Sequence, residues 1–578
     1  MSPSPQPSFT ASSELAAVLA EEWETHLRED PMFATLTGDR RYDDRLPGAS
    51  EGDYERRRRQ LEAFVRRAEA VDPGALSPSE RLNRDIFLRL KRNALAETGF
   101  HSYRLPMNRM GGFHTDFAEL PNFMRFDSPE GYERYLARLE AFRGWVDEHI
   151  ELMRGAVGQG FTQPRICLEG TQGTMQSLLV EDIEQSLFFA PFQKFPEHLS
   201  GAVRTRLTER GRAALRETVL PGYRALLEFF EGEYLPACRE TIAASALPDG
   251  QAYYEHRVRA MTTLEVTPEE VHRKGLEEVA RIRTEMDGVI RRTGFQGDLA
   301  AFLAFLRTDS RFYPTSPEAL LREAAYILKR MDGELPRLFR RLPRIPYGIL
   351  PVPDHLAPHT TTAYYWAPLG DGTRAGFYYV NTFDLPSRPL YELEALSLHE
   401  AVPGHHLQIA LQLELEDLPA FRRFEDFTAF TEGWALYAER LGLECGFYQD
   451  PYSDFGRLGY EIWRACRLVV DTGMHALGWT RERAIEYMLA NTPSTPLNVR
   501  NEIDRYITMP GQALAYKMGE LKIRDLRRIA EQRLGSGFDV RSFHEVVLRQ
   551  GSIPLDVLEA EVKAWLGEAR GGEARDVL

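Results

Sequence analysis

Between Leu398 and Gln408 the chain reads Leu-His-Glu-Ala-Val-Pro-Gly-His-His-Leu-Gln, and the Pro403-Gly404 pair inside it is the strongest local constraint on the fold. Pro403 has no N–H to donate to the carbonyl of His399, and its ring crowds that turn. Gly404 tolerates dihedrals closed to other residues. The pair predicts a break or bulge in an otherwise helical segment. The break matters because of what flanks it. In H-E-x-x-H the two His lie four residues apart, about one turn, so both rings face one cation. Here the second His stands six or seven residues after His399. On an unbroken α-helix the sixth position is rotated by about 240°, and the seventh lies about 10.5 Å further along the axis. Rings that coordinate at roughly 2.0–2.1 Å do not share an ion across that gap. A break at Pro403-Gly404 swings His405 back towards His399, which makes His405 the expected second ligand and His406 the alternative. Glu400, beside the first His, stands where a general base takes the proton of an attacking water. The plain alternative is a helix that ends at Pro-Gly with two unrelated His after it.

A mononuclear hydrolytic zinc site has three protein ligands and an open position, so a third ligand is sought downstream. The stretch Phe430 to Leu441 carries apolar residues at helical spacing, at Trp434, Leu436, Tyr437 and Leu441. Glu432 and Glu439, seven apart, share one face of it. A carboxylate among buried aromatics needs a partner. Glu432 is therefore assigned as third ligand, and Glu439 as an acceptor for the second ring N–H of a ligand His. Two solvated Glu on an amphipathic helix is the competing reading of this segment alone.

Together these segments closely resemble the bacterial family of unknown function DUF885, whose hallmark is H-E-x-x-P-G-H-x-x-Q followed by E-G-W-A-x-Y. The first appears as His399 to Gln408 and the second as Glu432 to Tyr437. Arg464 to His475 and Met509 to Gly519 also look family-like, and the clear resemblance runs from about Tyr364 to Gly519. The family is similar to the gluzincin zinc peptidases. That similarity implies a mainly α, large bilobed helical zincin-like fold, with a small β-sheet beside the active-site helix and a deep cleft. It also implies Zn²⁺ as cofactor and a small peptide as substrate. The two extra residues between the His depart from standard gluzincins.

By analogy with helical gluzincins, a downstream Tyr stabilises the oxyanion, with Tyr516 expected and Tyr506 as runner-up. Arg505 and Lys517 beside them are candidates for a substrate carboxylate. The run Arg374 to Asn381 reads as a strand and, by the same analogy, as the edge that holds a peptide backbone, with Arg374, Tyr379 and Asn381 as substrate contacts. Asp471 and His475, four apart on a helix, read as a brace in preference to a second metal pair. Arg464 and Arg467 are read either as a carboxylate anchor or as structural ion pairs.

The net charge of −15 argues against a general nucleic-acid or anionic-membrane binder. Four scattered Cys form no disulfide scaffold. No run of about 18 apolar residues and no secretory leader is visible. A cytoplasmic setting is expected, and oligomeric state is not legible. G-x-S-x-G and Walker A patterns are absent from the sequence. Ser77-Pro78-Ser79-Glu80, Thr267-Pro268-Glu269-Glu270 and Ser542 to Glu545 fit helix-start capping boxes, so a helix-dominated chain is expected. The organisation expected is a tail over 1–12, a helical lobe over 13–245 and a catalytic lobe over 246–578.

Overall fold

The structure, a computed structural model, describes residues 10–354, 357, 361–368 and 374–573. Most of the expected tail lies outside the described residues; the first helix begins at Ala11, capped by the Thr10 hydroxyl. The fold is mainly α. It divides into two compact units, Met1–Tyr253 and Tyr254–Leu578, and the division falls inside the helix Gly250–Thr262.

In the first unit, α1 (Ala11–Glu29), α2 (Glu51–Ala70) and α3 (Pro78–Gly99) precede the long α4 (Pro129–Val157). Its core is aromatic: Phe117, Tyr135, Phe142, Phe188 and Tyr223 are fully buried around α4.

The second unit contains α5 (Pro268–Thr293) and α6 (Pro317–Leu338), followed by a three-stranded sheet of β1 (Tyr347–Pro351), β2 (Ala363–Trp366) and β3 (Gly376–Val380). Then come α7 (Leu393–Glu400), α8 (His405–Leu413), α9 (Thr428–Leu441), α10 (Pro451–His475), α11 (Pro496–Thr508), α12 (Leu514–Leu534) and α13 (Val540–Leu548). The capping boxes of Ser77 and Thr267 form as the sequence predicts, with Pro78 and Pro268 in the first turn. The one at Ser542 does not: Asp539 caps α13 instead, and Ser542 lies inside the helix, donating to the Asp539 carboxylate at 2.7 Å.

The sheet order is β1-β3-β2, with β3 parallel to β1 and antiparallel to β2. The Arg374–Asn381 strand is therefore central, and both of its edges are already hydrogen-bonded. This corrects the expectation that it holds a substrate backbone.

Two close approaches set the second unit around its centre. α9 and α12 touch backbone to backbone. A Cβ on Gly519 would lie 1.9 Å from the Ala429 carbonyl oxygen, and one on Gly433 2.5 Å from the Gly519 backbone, so only glycine admits this contact. Beneath it, Lys517 is fully buried in an ion cluster with Glu520 (2.6 Å), Glu461 (2.9 Å) and Glu278 (3.2 Å).

Candidate metal centre

α7 stops at Glu400 and α8 starts at His405, with a cis peptide bond between Val402 and Pro403. The break predicted at Pro403-Gly404 is thus a full change of helix. Gly404 is required there because a Cβ would lie 1.9 Å from the His399 carbonyl oxygen. The turn is held from outside: the Trp434 indole N–H donates to the Pro403 carbonyl at 2.9 Å, fully buried. The E-G-W-A-x-Y helix therefore carries a carboxylate to the site and also clamps the break that shapes it.

The break brings the His399 and His405 rings to a centroid separation of 4.7 Å at 87°. The Nε2 atoms of His399 and His405 each lie 3.5 Å from Glu432 Oε2, and one ligand atom from each residue falls within 4.8 Å of the others. Two ligand atoms bound tetrahedrally to one ion at about 2.05 Å stand about 3.3 Å apart, so the spacing fits a single cation. Glu432 Oε2 is buried and has no hydrogen-bond partner among the described residues. A buried carboxylate oxygen between two imidazoles, with nothing donating to it, calls for a cation. His399, His405 and Glu432 can hold a metal ion.

Electrostatics agree. Burial opposes charge on His399, yet Glu432 and Glu439 outweigh it and raise the imidazole to about 9. Burial likewise works against ionised Glu432, but the two His hold its carboxyl well below the usual range. The cluster is built to stabilise positive charge at its centre. Behind it, His399 Nδ1 meets Glu439 Oε1 at 2.8 Å. This contact fixes the ring with Nε2 facing Glu432.

His406 is turned away. Its Nε2–H donates to the Ile345 carbonyl (3.1 Å), and its Nδ1 accepts from the Tyr365 hydroxyl (2.8 Å). Burial pushes this imidazole down to about 4. With both nitrogens engaged, His406 ties β2 and the segment before β1 to the break, and His405 alone of the pair faces Glu432.

Glu400, at the end of α7, is nearly buried. Its charge acts on both His399 and Tyr378, and no hydrogen bond to its carboxylate is made by the described residues. Tyr516 lies close to Glu432: burial raises its hydroxyl, and the Glu432 charge raises it further. The Arg467 guanidinium stacks 4.3 Å from the Tyr516 ring.

Several other candidates are committed elsewhere. Tyr506, the runner-up, is fully buried; its hydroxyl donates to Glu502 (2.6 Å) and accepts from Arg467 (2.8 Å) and Trp463 (3.1 Å). Nothing is left for an oxyanion. Lys517 is spent in its ion cluster and cannot meet a substrate carboxylate. Arg505 holds Glu502 (2.9 Å) and Gln512 (2.9 Å). Asn381 is fully buried, its amide donating to the Ala357 (2.8 Å) and Thr361 (3.0 Å) carbonyls, and it shapes a turn. Tyr379 stacks on Tyr364 at 4.9 Å, on the sheet face opposite Tyr378, whose hydroxyl reaches Ser397 of α7. Arg374 donates to the Ala367 carbonyl at 2.9 Å and lies over Trp366.

Asp471 and His475 each reach towards the turn between α11 and α12. Asp471 accepts from the Tyr254 hydroxyl (2.6 Å) and the Gly511 N–H (3.2 Å), and burial pushes it up to about 7. His475 Nε2 donates to the Tyr506 carbonyl at 3.0 Å. Both brace the turn from α11 to α12 that leads into Tyr516. Arg464 approaches Glu439 at 3.7 Å and stacks on Tyr460 and Trp463, so it supports the Glu439–His399 contact.

Sequence reasoning missed Tyr365 and Asp426. The Asp426 carboxyl, raised by partial withdrawal from water and by Glu432, accepts from Thr431 and Ser552 beside the centre. Nothing in its spacing marks Asp426, whereas Tyr365 falls inside an aromatic run next to the strand that was identified.

No described helix is long and apolar enough to cross a membrane. Among solved structures, a candidate lipoprotein of Colwellia psychrerythraea matches with a TM-score of 0.92 and 29% identity over 97% of this chain and 100% of its own. A candidate lipoprotein of unknown function from Shewanella oneidensis matches with a TM-score of 0.74 and 18% identity over 96% of this chain and 99% of its own, and shares the fold. A candidate oligoendopeptidase F of Bacillus anthracis aligns at a TM-score of only 0.26 and 13% identity, over 88% of this chain and 96% of its own, which carries no argument. No curated protein matches the chain. The family model for bacterial proteins of unknown function matches residues 31–562, far beyond the stretch on which the motifs lie, and the chain belongs to that family, DUF885.

Proposed function

We propose that the chain is a metallohydrolase of the gluzincin type that cleaves short peptides, with Zn²⁺ held by His399, His405 and Glu432. The observation that carries this reading is Glu432 Oε2, buried, without a donor and 3.5 Å from each of two imidazole Nε2 atoms. Two neutral imidazoles and a carboxylate suit Zn²⁺, which when bound supplies Lewis acidity towards water and a substrate carbonyl. The chain's own residues do the rest. Glu439 keeps the proton of His399 on Nδ1, so that Nε2 is the coordinating atom. Glu400 takes a proton from the attacking water and returns it to the leaving amine. The Tyr516 hydroxyl, kept protonated by burial and by Glu432, donates to the developing oxyanion.

Since β3 is paired on both sides among the described residues, the reading places an extended peptide along β2. β2 is tied to the centre through Tyr365 and His406, so a peptide on that strand lies against the metal ligands. Burial of His399 and Glu400 favours short, unfolded substrates. A cytoplasmic setting is the finer part of this proposal, supported by four free cysteines; cell fractionation tests it against the lipoprotein descriptions of the two solved relatives.

Elemental analysis of purified wild type, His405→Ala, His406→Ala and Glu432→Ala, followed by a peptide panel beside non-peptide amides and esters, tests the function. The reading expects about one zinc per chain, lost in His405→Ala and Glu432→Ala, kept in His406→Ala, with zinc-dependent peptide cleavage. A wild-type protein that takes up no metal when zinc is supplied overturns it. Turnover confined to the non-peptide esters or amides moves the substrate class.

A further inference from the structure

Arg440 is the residue after Glu439, near the end of α9. It is half-buried, and no carboxylate among the described residues comes within ion-pair reach of it. Its Nη1 is buried without a hydrogen-bond partner. The guanidinium keeps its charge in water and in proteins alike, so a charged group is partly withdrawn from solvent with no carboxylate in ion-pair contact. Burial and the neighbouring Arg524 and Arg457 all act against that charge, and Glu461 and Glu520 attract it only from a distance.

Arg440 lines a recess of about 430 Å³ between α9 and α12. Three more arginines line it: Arg524, Arg527 and Arg528. Each of those has an acid already. Arg524 meets Glu520 at 2.9 Å, Arg527 meets Glu444 at 2.7 Å and Glu531 at 2.8 Å, and Arg528 meets Asp525 at 2.5 Å. The uncompensated charge in the recess is that of Arg440. Leu441 and Leu521 provide an apolar wall, and Tyr437 a polar one. The volume lies within the roughly 300–1,000 Å³ of ligand pockets and exceeds what a bare inorganic anion fills. A second void, the size of one water, is lined by Arg440 together with Glu439, Glu461 and Glu520; none of these carboxylates makes an ion pair with Arg440.

We propose that this recess is an oxyanion-binding site, distinct from the His399–His405–Glu432 cluster, for a small organic phosphate or carboxylate whose anionic group pairs with Arg440. Arg440 lies eight residues beyond Glu432 on α9, about 12 Å along the axis. A planar guanidinium without an acid partner is the group that takes such an oxyanion in bidentate fashion. An occupant there sits one residue from Glu439, the acid behind His399.

The test is isothermal titration of the full chain with inorganic phosphate and, in a parallel arm, succinate, each against sodium chloride of equal ionic strength. Wild type, Arg440→Gln, Arg440→Lys and His405→Ala are compared. Saturable binding of at least one of the two anions is expected, weakened about tenfold or more in Arg440→Gln and unchanged in His405→Ala. The anion that binds more tightly identifies the ligand class. Should Arg440→Gln fail to fold, Arg440→Lys keeps the charge but loses the fork geometry and is expected to bind more weakly at an unchanged melting temperature. Absence of saturable binding of either anion in wild type, binding undiminished in the folded Arg440 variants, or binding lost with His405 overturns the proposal.

Discussion

Gly404→Ala tests whether the break between α7 and α8 sets the geometry of the metal centre. A Cβ on Gly404 falls 1.9 Å from the His399 carbonyl oxygen and 2.5 Å from that of Leu398. Carbon and oxygen at van der Waals contact stand about 3.3 Å apart, so the two segments must part by roughly 1.4 Å. Both obstructing atoms are backbone of the helix that carries His399, and the methyl group rides on the residue before His405. The strain therefore acts along the line between the two ligands. Metal sites keep ligand distances within about 0.2 Å of ideal, and a separation several times larger should weaken zinc binding by at least about 100-fold, near 2.7 kcal/mol. Competition titration against a chromophoric chelator reads the affinity, and far-UV circular dichroism confirms that the helices persist. Zinc affinity of Gly404→Ala within about threefold of wild type, at an unchanged melting temperature, refutes the argument that the break determines the site.

Glu439→Gln should lower zinc affinity by about 10–100-fold without removing a ligand, because only the acceptor behind His399 changes; the same chelator competition reads it. Tyr516→Phe should reduce kcat by about 10²-fold with little change in KM, whereas Tyr506→Phe should lower the melting temperature and spare turnover, since its hydroxyl joins Glu502, Arg467 and Trp463. Gly333→Ala, at an exposed position of α6 with open space around the new methyl, should stabilise the chain by roughly 0.5–1 kcal/mol, visible as a higher melting temperature. His544 is fully buried and depressed to about 3 because burial opposes its charge, with Nδ1–H on the Leu338 carbonyl and Nε2 accepting from Tyr437. The unfolded chain binds this proton first, so the contribution is present above about 6.5 and is lost as pH falls towards about 3, at ~1.4 kcal/mol per unit. Acid unfolding followed by circular dichroism should be less steep below neutrality in His544→Gln.

The sequence shows the chemistry of the centre better than its surroundings. His399, Glu400, Glu432 and the Pro403-Gly404 break carry local signals, because a donor set and a residue that cannot continue a helix are visible without coordinates. The choice of His405 over His406 follows from a steric argument about one turn. Candidates chosen by proximity in sequence fared worse. Lys517 and Tyr506 lie near Tyr516 along the chain, yet helical periodicity sends them to Glu461 and Glu502. Strand character in 376–380 was legible, but whether that strand is central or at an edge depends on pairings with β1 and β2.

Residue identity by itself determined which atoms can bind a cation, where the helix must break, and that the chain is mainly helical. Only the tertiary structure decided which face each helix buries and which partners arrive from distant segments. Trp434 reaches Pro403 across 31 residues, Glu439 reaches His399 across 40, and Arg440 Nη1 finds no hydrogen-bond partner among the described residues although charges surround it in sequence. Covalent geometry and donor chemistry are properties of a residue and its immediate neighbours, and so are written locally. Satisfaction of a buried polar group is a property of the packed interior, and exists only once the chain has closed around it.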